Sequence, residues 1–471
     1  MTTASIRVRG RRWREVGAAG LALVVAACTA SAEDVRPPAD QLYFPTGLAI
    51  SPDERFLFAA NGNSELRYDS GSVSVISLDT VQATLAAWLS SAPVIPDGCS
   101  QDPDHRETLT CDEAMFMVAD AGVRIGNFAT DIAVQDLSGG RLRVIVPTRG
   151  DPSISWADFD GARLSCTTGS DTFALCDDTH RLTAARDEPD VGIPAEPFGV
   201  FADSVHGFAI VTHQTAGAVS LIDSPADGNA QIVDIRANLF AEDPLTLIRA
   251  ATGVAGRFDA SGDDLVYVGS RTEDRIQTFT VGRQPNGTAY LLPSNYFFLD
   301  AIGTSAGSSF DTRALHFSKD GSRMYVVNRD PPTIQIYDTS PNESGFPRNE
   351  AVGGSDICRE ASTVTLLDAG DGERAYVTCF LDGQIYVVDP AGLSQVTDIV
   401  TVGRGPYGIA AAGGLNPAAT TTDPGNAATT TAHKQLFVSN FLEDTIAVVD
   451  VTPTSATRDR VVLRIGLPRA P

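Results

Sequence analysis

Apolar residues along this chain fall into short runs that come in pairs, each pair joined by a tight polar turn. Leu436–Asp450, LFVSNFLEDTIAVVD, shows the unit most clearly, with LFVSN and TIAVVD reading as two β-rich strands around the turn. It returns as MYVVNRDPPTIQIYD (Met324–Asp338) and AYVTCFLDGQIYVVD (Ala375–Asp389). Looser copies are LFAANGNSELRYDSGSVSVISLD, FAIVTHQTAGAVSLID and LVYVGSRTEDRIQTFT. A fixed motif recurring at long spacing signals a repeat architecture, in which each copy buries its apolar surface against its neighbours. Leu436-Phe437-Val438 is a continuous apolar run rather than an alternation, so both faces of that strand must be covered.

The first copy supplies the size of the unit. Two β-rich runs flank the turn Ser51–Glu54, Val73–Leu78 alternates as a third strand, and Val81–Leu89 is expected to be a fourth, outer one. Four antiparallel strands per repeat is the make-up of a propeller blade. Repeating the count predicts an all-β, seven-bladed propeller. The blades run over about 43–89, 128–182, 197–235, 252–298, 312–352, 362–402 and 407–465. That body is longer than seven minimal blades require, so insertions must absorb the excess. They are expected at 90–123 and 161–190, with a low-complexity loop at 416–432 (NPAATTTDPGNAATTTA).

Two of the insertions carry cysteines, and after Cys28 the cysteines form close pairs: Cys99/Cys111, Cys166/Cys176 and Cys358/Cys379. Local, even pairing argues for three disulfides rather than metal ligation. Cys358 and Cys379 flank a hairpin turning at Asp368–Glu373, which sets them roughly opposite each other. The pairing fits export. Residues 1–27 combine a basic segment (Arg7, Arg9, Arg11, Arg12 and Arg14) with an apolar one, Val16–Ala27, too short to span a bilayer. Val25-Ala26-Ala27-Cys28 resembles a bacterial lipobox, which implies cleavage before Cys28 and a lipid on it. Residues 28–42 would then be a short tether. No later stretch reaches about 18 apolar residues, so the lipid is the expected membrane contact. Losing residues 1–27 takes away five Arg and one Glu and moves the formal charge from −24 to −28. So acidic a body repels phosphate backbones and excludes nucleic acid as a partner.

Gly403-Arg404-Gly405-Pro406-Tyr407-Gly408, followed by LFVSN, resembles the YVTN-type β-propeller repeat. Phe44-Pro45-Thr46-Gly47 and Glu196-Pro197-Phe198-Gly199 match its turn, and Tyr325–Asn328 matches its strand end. The resemblance covers about Tyr43 to the C-terminus and implies kinship with surface-layer proteins, lactonase relatives and propellers of redox enzymes. Its turn glycines are expected to supply φ > 0 where the chain enters the inner strand.

In a propeller, the ends of the second strands share a face with the blade connections. Here those ends are Asn61, Thr148, His213, Ser270, Asn328, Cys379 and Asn440. Arginine follows in three blades, as Arg149, Arg271 and Arg329. Three converging guanidiniums suit a carboxylate or phosphate. With Asn61, His213, Asn328 and Asn440 they make the candidate ligand-binding set. The alternative is that each arginine pairs with the acid beside it, Asp151, Glu273 or Asp330. The histidines are scattered, with His206 and His213 at opposite ends of one strand, and predict no metal site. The loops Asp259–Asp264 and Asp368–Glu373 read as ordinary Asp/Gly turns rather than calcium sites. There is no Cys-x-x-Cys-His, and no catalytic residue and no cofactor are expected. The expectation is a monomeric, lipid-anchored envelope protein that binds a protein partner or a small anion on its loop face. The alternative is a lactonase-like hydrolase or quinone-dependent redox enzyme using the axial channel.

Overall fold

The computed structural model describes residues 35–243, 245–258, 264–299, 310–391, 395–413 and 434–468. They form a seven-bladed β-propeller of antiparallel blades. From inner to outer strand, blade three is Pro197–Asp203, Phe208–His213, Ala218–Asp223 and Gln231–Arg236. Blades four, five and six repeat this over Ala251–Phe298, Thr312–Asp356 and Ala361–Thr401. Blade two pairs Ala133–Asp136, Leu142–Thr148 and Ser153–Phe159, and two short segments, Leu164–Ser165 and Arg181–Leu182, share its outer edge. The loop between those segments is closed by Cys166–Cys176.

The continuous apolar runs are explained by a strand's two-residue period, which sends successive side chains to opposite faces. Leu436 and Val438 pack against Tyr376, Ile385 and Val387 of blade six, whereas Phe437 packs against Leu57, Ala59 and Ile76 of blade one. Each middle strand thus belongs to two cores at once.

Blade one departs from expectation. Leu78–Trp88 is an α-helix, not a fourth strand. Ser77 caps it by accepting the Thr80 N–H at 3.2 Å, and Asp79 sits in its first turn. Leu78, Val81, Leu85 and Trp88 recur at helical spacing and are its buried face. The true outer strand is Val123–Ile125, which pairs with Gly71–Val73. The cysteine-bearing insertion therefore lies inside blade one rather than after it.

That insertion closes the ring. Cys99–Gln101 and Leu109–Cys111 form a hairpin stapled by the Cys99–Cys111 disulfide. Leu109–Cys111 then lies parallel to the outer strand of blade seven, Arg460–Ile465, so this sheet has six strands. The inner side of the same junction is held by Ser439 Oγ, which donates to the Thr46 carbonyl at 2.6 Å, and by Asp444, which accepts the Phe44 N–H at 2.7 Å.

Candidate functional site: the axial channel and its arginine crown

Six of the seven blades are entered through the same backbone device. The residue before the inner strand has positive φ at Phe44, Glu196, Ala250, Glu360 and Gly405, and in blade two the equivalent residue is Phe128, just before the Ala129–Thr148 bridge. A register irregularity follows, as between Pro45 and Leu48. The expectation for the glycines needs correcting here. Gly405 does take φ +68°, but the repeat glycines Gly47, Gly199 and Gly408 are required by crowding. A Cβ on Gly408 would lie 2.2 Å from the Thr46 carbonyl oxygen, and one on Gly47 would lie 2.6 Å from the Ile132 nitrogen. Neighbouring inner strands almost touch at this level.

The ends of the second strands are structural. Asn61, His213, Asn328 and Asn440 are fully buried and bonded within the protein. Asn61 accepts the Tyr43 N–H and donates to Ser72 and Ser74. Asn440 donates to the Val402 carbonyl and Thr445, and Asn328 bonds Thr312 and Thr333. His213 contacts the Pro194 carbonyl and Ser220 at 2.8 Å each, and burial pulls its imidazole down to about 4, so it stays neutral. In blades one, three and seven the side chain ties the incoming connection to the blade. In blade six a covalent bond, Cys379–Cys358, holds the same connection.

The arginines do gather on one face, but their partners are not the adjacent acids. Arg149 pairs with Glu196 at 2.5 Å, Arg329 with Glu360 at 2.7 Å and Arg271 with Asp311 at 3.8 Å. Each acid directly precedes the inner strand of the next sheet along, so these pairs clasp blade two to three, four to five and five to six. Where blade seven meets blade one, Phe441 and Phe44 occupy the same two positions with ring centroids 5.3 Å apart. A fourth arginine, Arg313, shares Asp311 at 2.9 Å. Burial first, and then the like charge of Arg313, pull Arg271 and Arg329 below the usual guanidinium range. Four guanidiniums thus face three paired carboxylates.

Beneath this crown the inner strands enclose a channel of about 750 Å³. Its waist is apolar: Leu48, Ile132, Val200, Val254, Leu315, Val364 and Ile409 stand at the same position in the seven blades. Just above them the repeat breaks. Arg313 lines the channel with its side chain only 8% exposed, and it holds Asp311 through Nε at 2.9 Å and Nη2 at 3.0 Å. Beside it, Ser362 Oγ is buried without a partner. Asp131 occupies the position that is Gly47, Gly199, Gly253 and Gly408 in other blades. Its oxygens accept the Val200 N–H at 3.1 Å and the Ile132 N–H at 2.8 Å, and among the described residues no cation pairs with it. Burial pushes this carboxyl up to about 6, opposed by those two hydrogen bonds. Tyr407 completes the set. Burial and then the Asp131 carboxylate push its phenol up, while Arg313, Arg149 and Arg329 pull it down. Asp131, Arg313, Ser362 and Tyr407 were invisible to a comparison of second strands. Aligning the inner strands instead exposes two of them, an aspartate where glycine recurs and an arginine where Thr46, Thr130 and Thr252 stand.

At the other end of the channel, Asp203, His206 and Asp264 bring ligand-type atoms together. Asp203 is committed to its turn, accepting the Val205 and His206 N–H groups at 2.9 Å each, and His206 Nδ1 lies 2.8 Å from Asp264. Asp368 likewise caps its own turn through Gly370 and Gly372. Cys28, His433 and the loop 416–432 lie outside the described residues.

No protein-family model matches the chain, and no curated protein matches it. Solved structures do. The chain is similar to the periplasmic gluconolactonase of Pseudomonas aeruginosa (16% identity over 77% of this chain and 86% of that one, TM-score 0.46). It is also similar to a protein from Lactobacillus plantarum (15%, 74% and 89%, TM-score 0.49) and to a β-propeller domain from Myceliophteria thermophila (11%, 88% and 98%, TM-score 0.49). At these identities the likeness is one of fold, and any reading of function rests on the channel itself.

Proposed function

We propose that this chain is an extracytoplasmic binding propeller, tethered by a lipid on Cys28, that captures a small carboxylate in its axial channel. The observation that carries the reading is Arg313, a buried guanidinium on the channel wall whose one acid, Asp311, is shared with Arg271. A guanidinium with donors to spare, in a channel of low dielectric, binds a carboxylate through charge-assisted hydrogen bonds. The apolar waist below accepts the ligand's hydrocarbon body. The three disulfides support an oxidising compartment, and the lipobox-like Val25–Cys28 supports the anchor. Among the described residues no helix is long and apolar enough to cross a membrane.

Caproate titrated calorimetrically at pH 7.5 is expected to give saturable binding to the wild type. Arg313→Gln should weaken it about tenfold or more, the loss of one charged hydrogen-bond partner. Equal binding by the variant, or none by the wild type, contradicts the reading. A second reading rests on Asp131. A carboxyl held near 6 is suited to act as a general base, which favours hydrolysis of a lactone bound in the same channel. Turnover of a lactone panel that disappears in Asp131→Asn would replace the first reading with the second.

A further inference from the structure

The channel presents opposite charges from opposite walls. Asp131 belongs to blade two and Arg313 to blade five, and three blades apart is as far as a ring of seven allows. Both break the repeat at the narrow level just above the apolar waist. Both are also incompletely matched: Arg313 shares its acid, Asp311, with Arg271, and Asp131 has only backbone amides for company. A desolvated carboxylate facing an enclosed space without a counter-cation is retained at a cost to the fold, and a ligand cation would remove that cost. Tyr407 lines the channel at the same level. Ser362 adds an unpartnered buried hydroxyl to the same wall as Arg313's neighbouring blade. A simple anion satisfies only half of this arrangement.

We infer that the ligand of the channel is a small zwitterion, its carboxylate held by Arg313 and its ammonium, at the far end of a short chain, held by Asp131. The inference rests on the carboxylate reading above and narrows it to a ligand class: an ω-amino acid or a short peptide with free termini. An α-amino acid fits poorly, since its two charges sit side by side, whereas Arg313 and Asp131 form no ion pair with one another. The waist of Leu48, Ile132, Val200, Val254, Leu315, Val364 and Ile409 gives the methylene chain an apolar bed.

The test is a calorimetric panel at pH 7.5 on the full chain: ε-aminocaproate, γ-aminobutyrate, glycine, caproate and hexylamine. An ω-amino acid should bind about tenfold or more tightly than caproate, hexylamine or glycine, the size of one buried charge-assisted contact. Asp131→Asn should remove that advantage and leave caproate binding unchanged or tighter, whereas Arg313→Gln should weaken both. Asparagine keeps an oxygen for the Val200 N–H, and the wild-type ligand ranking decides the matter even if the variant misfolds. Caproate binding as tightly as ε-aminocaproate, with Arg313 still required, overturns the zwitterion and leaves the carboxylate reading intact. No Arg313-dependent binding of any carboxylate overturns both.

Discussion

Replacing Asp131 by asparagine should make the protein more stable, not less, by an amount that grows between about pH 4 and pH 6 and then levels off. The carboxyl is raised from 3.8 to about 6 in the folded state because the channel wall desolvates it. A group whose folded value is raised binds its proton more tightly when folded. Its ionisation therefore costs nothing below about pH 4 and progressively more as pH rises through about 6. At pH 8 the full cost is on the order of 2–3 kcal/mol, from a shift of about two pH units. Asparagine escapes it while still accepting the Val200 N–H, at the loss of the acceptor for the Ile132 N–H. Urea melts at pH 8 should show Asp131→Asn more stable by that order, and melts at pH 4 should show the two proteins alike. A variant less stable at both values, by the same margin, would mean that Asp131 is a structural hydrogen-bond acceptor and nothing more.

Gly408→Ala is expected to damage the ring where it closes. The added Cβ would lie 2.2 Å from the Thr46 carbonyl oxygen, and that contact is backbone, which cannot swing aside. Ser439 Oγ bonds both sides of this junction, the Gly408 N–H at 2.8 Å and the Thr46 carbonyl at 2.6 Å, so any shift breaks a buried hydrogen bond as well. Overpacking plus a lost buried bond costs about 2–4 kcal/mol. The control is Gly169→Ala, where the nearest atom is the Thr167 hydroxyl at 3.8 Å and the backbone is unstrained. Thermal melts should separate the two variants clearly. If Gly408→Ala melts with the wild type, the inner strands of blades seven and one are farther apart than described.

The blade framework and the cysteine pairs were legible because both are local. A hairpin needs only its two strands and turn, and each cysteine pair sits within one hairpin or loop. Leu78–Trp88 was misread because its apolar residues fit a short strand as well as a helix, and a fourth strand was owed there by the repeat count. The Ser77 cap and the spacing of Leu78, Val81, Leu85 and Trp88 were the signals that should have outweighed the count. Ring closure was not legible, because Leu109 and Leu463 meet across about three quarters of the chain and their strands run parallel. The same distance hid the clasps. Arg149 has Asp151 beside it in sequence, yet its partner is Glu196 because the neighbouring sheet's entrance is closer in space. Asp131 and Arg313 were missed for a different reason. They stand on inner strands, and their departure from the repeat shows only when those strands, not the second ones, are aligned.

The claim that the channel holds the ligand is tested most directly by diffraction from crystals soaked in ε-bromocaproate, with the bromine located by its anomalous signal. The account predicts one bromine peak inside the channel, at the apolar waist around Leu48, Val200 and Ile409, with the carboxylate on Arg313. A bromine peak confined to the outer face over Arg149 and Arg329, or a channel left without one, would contradict it.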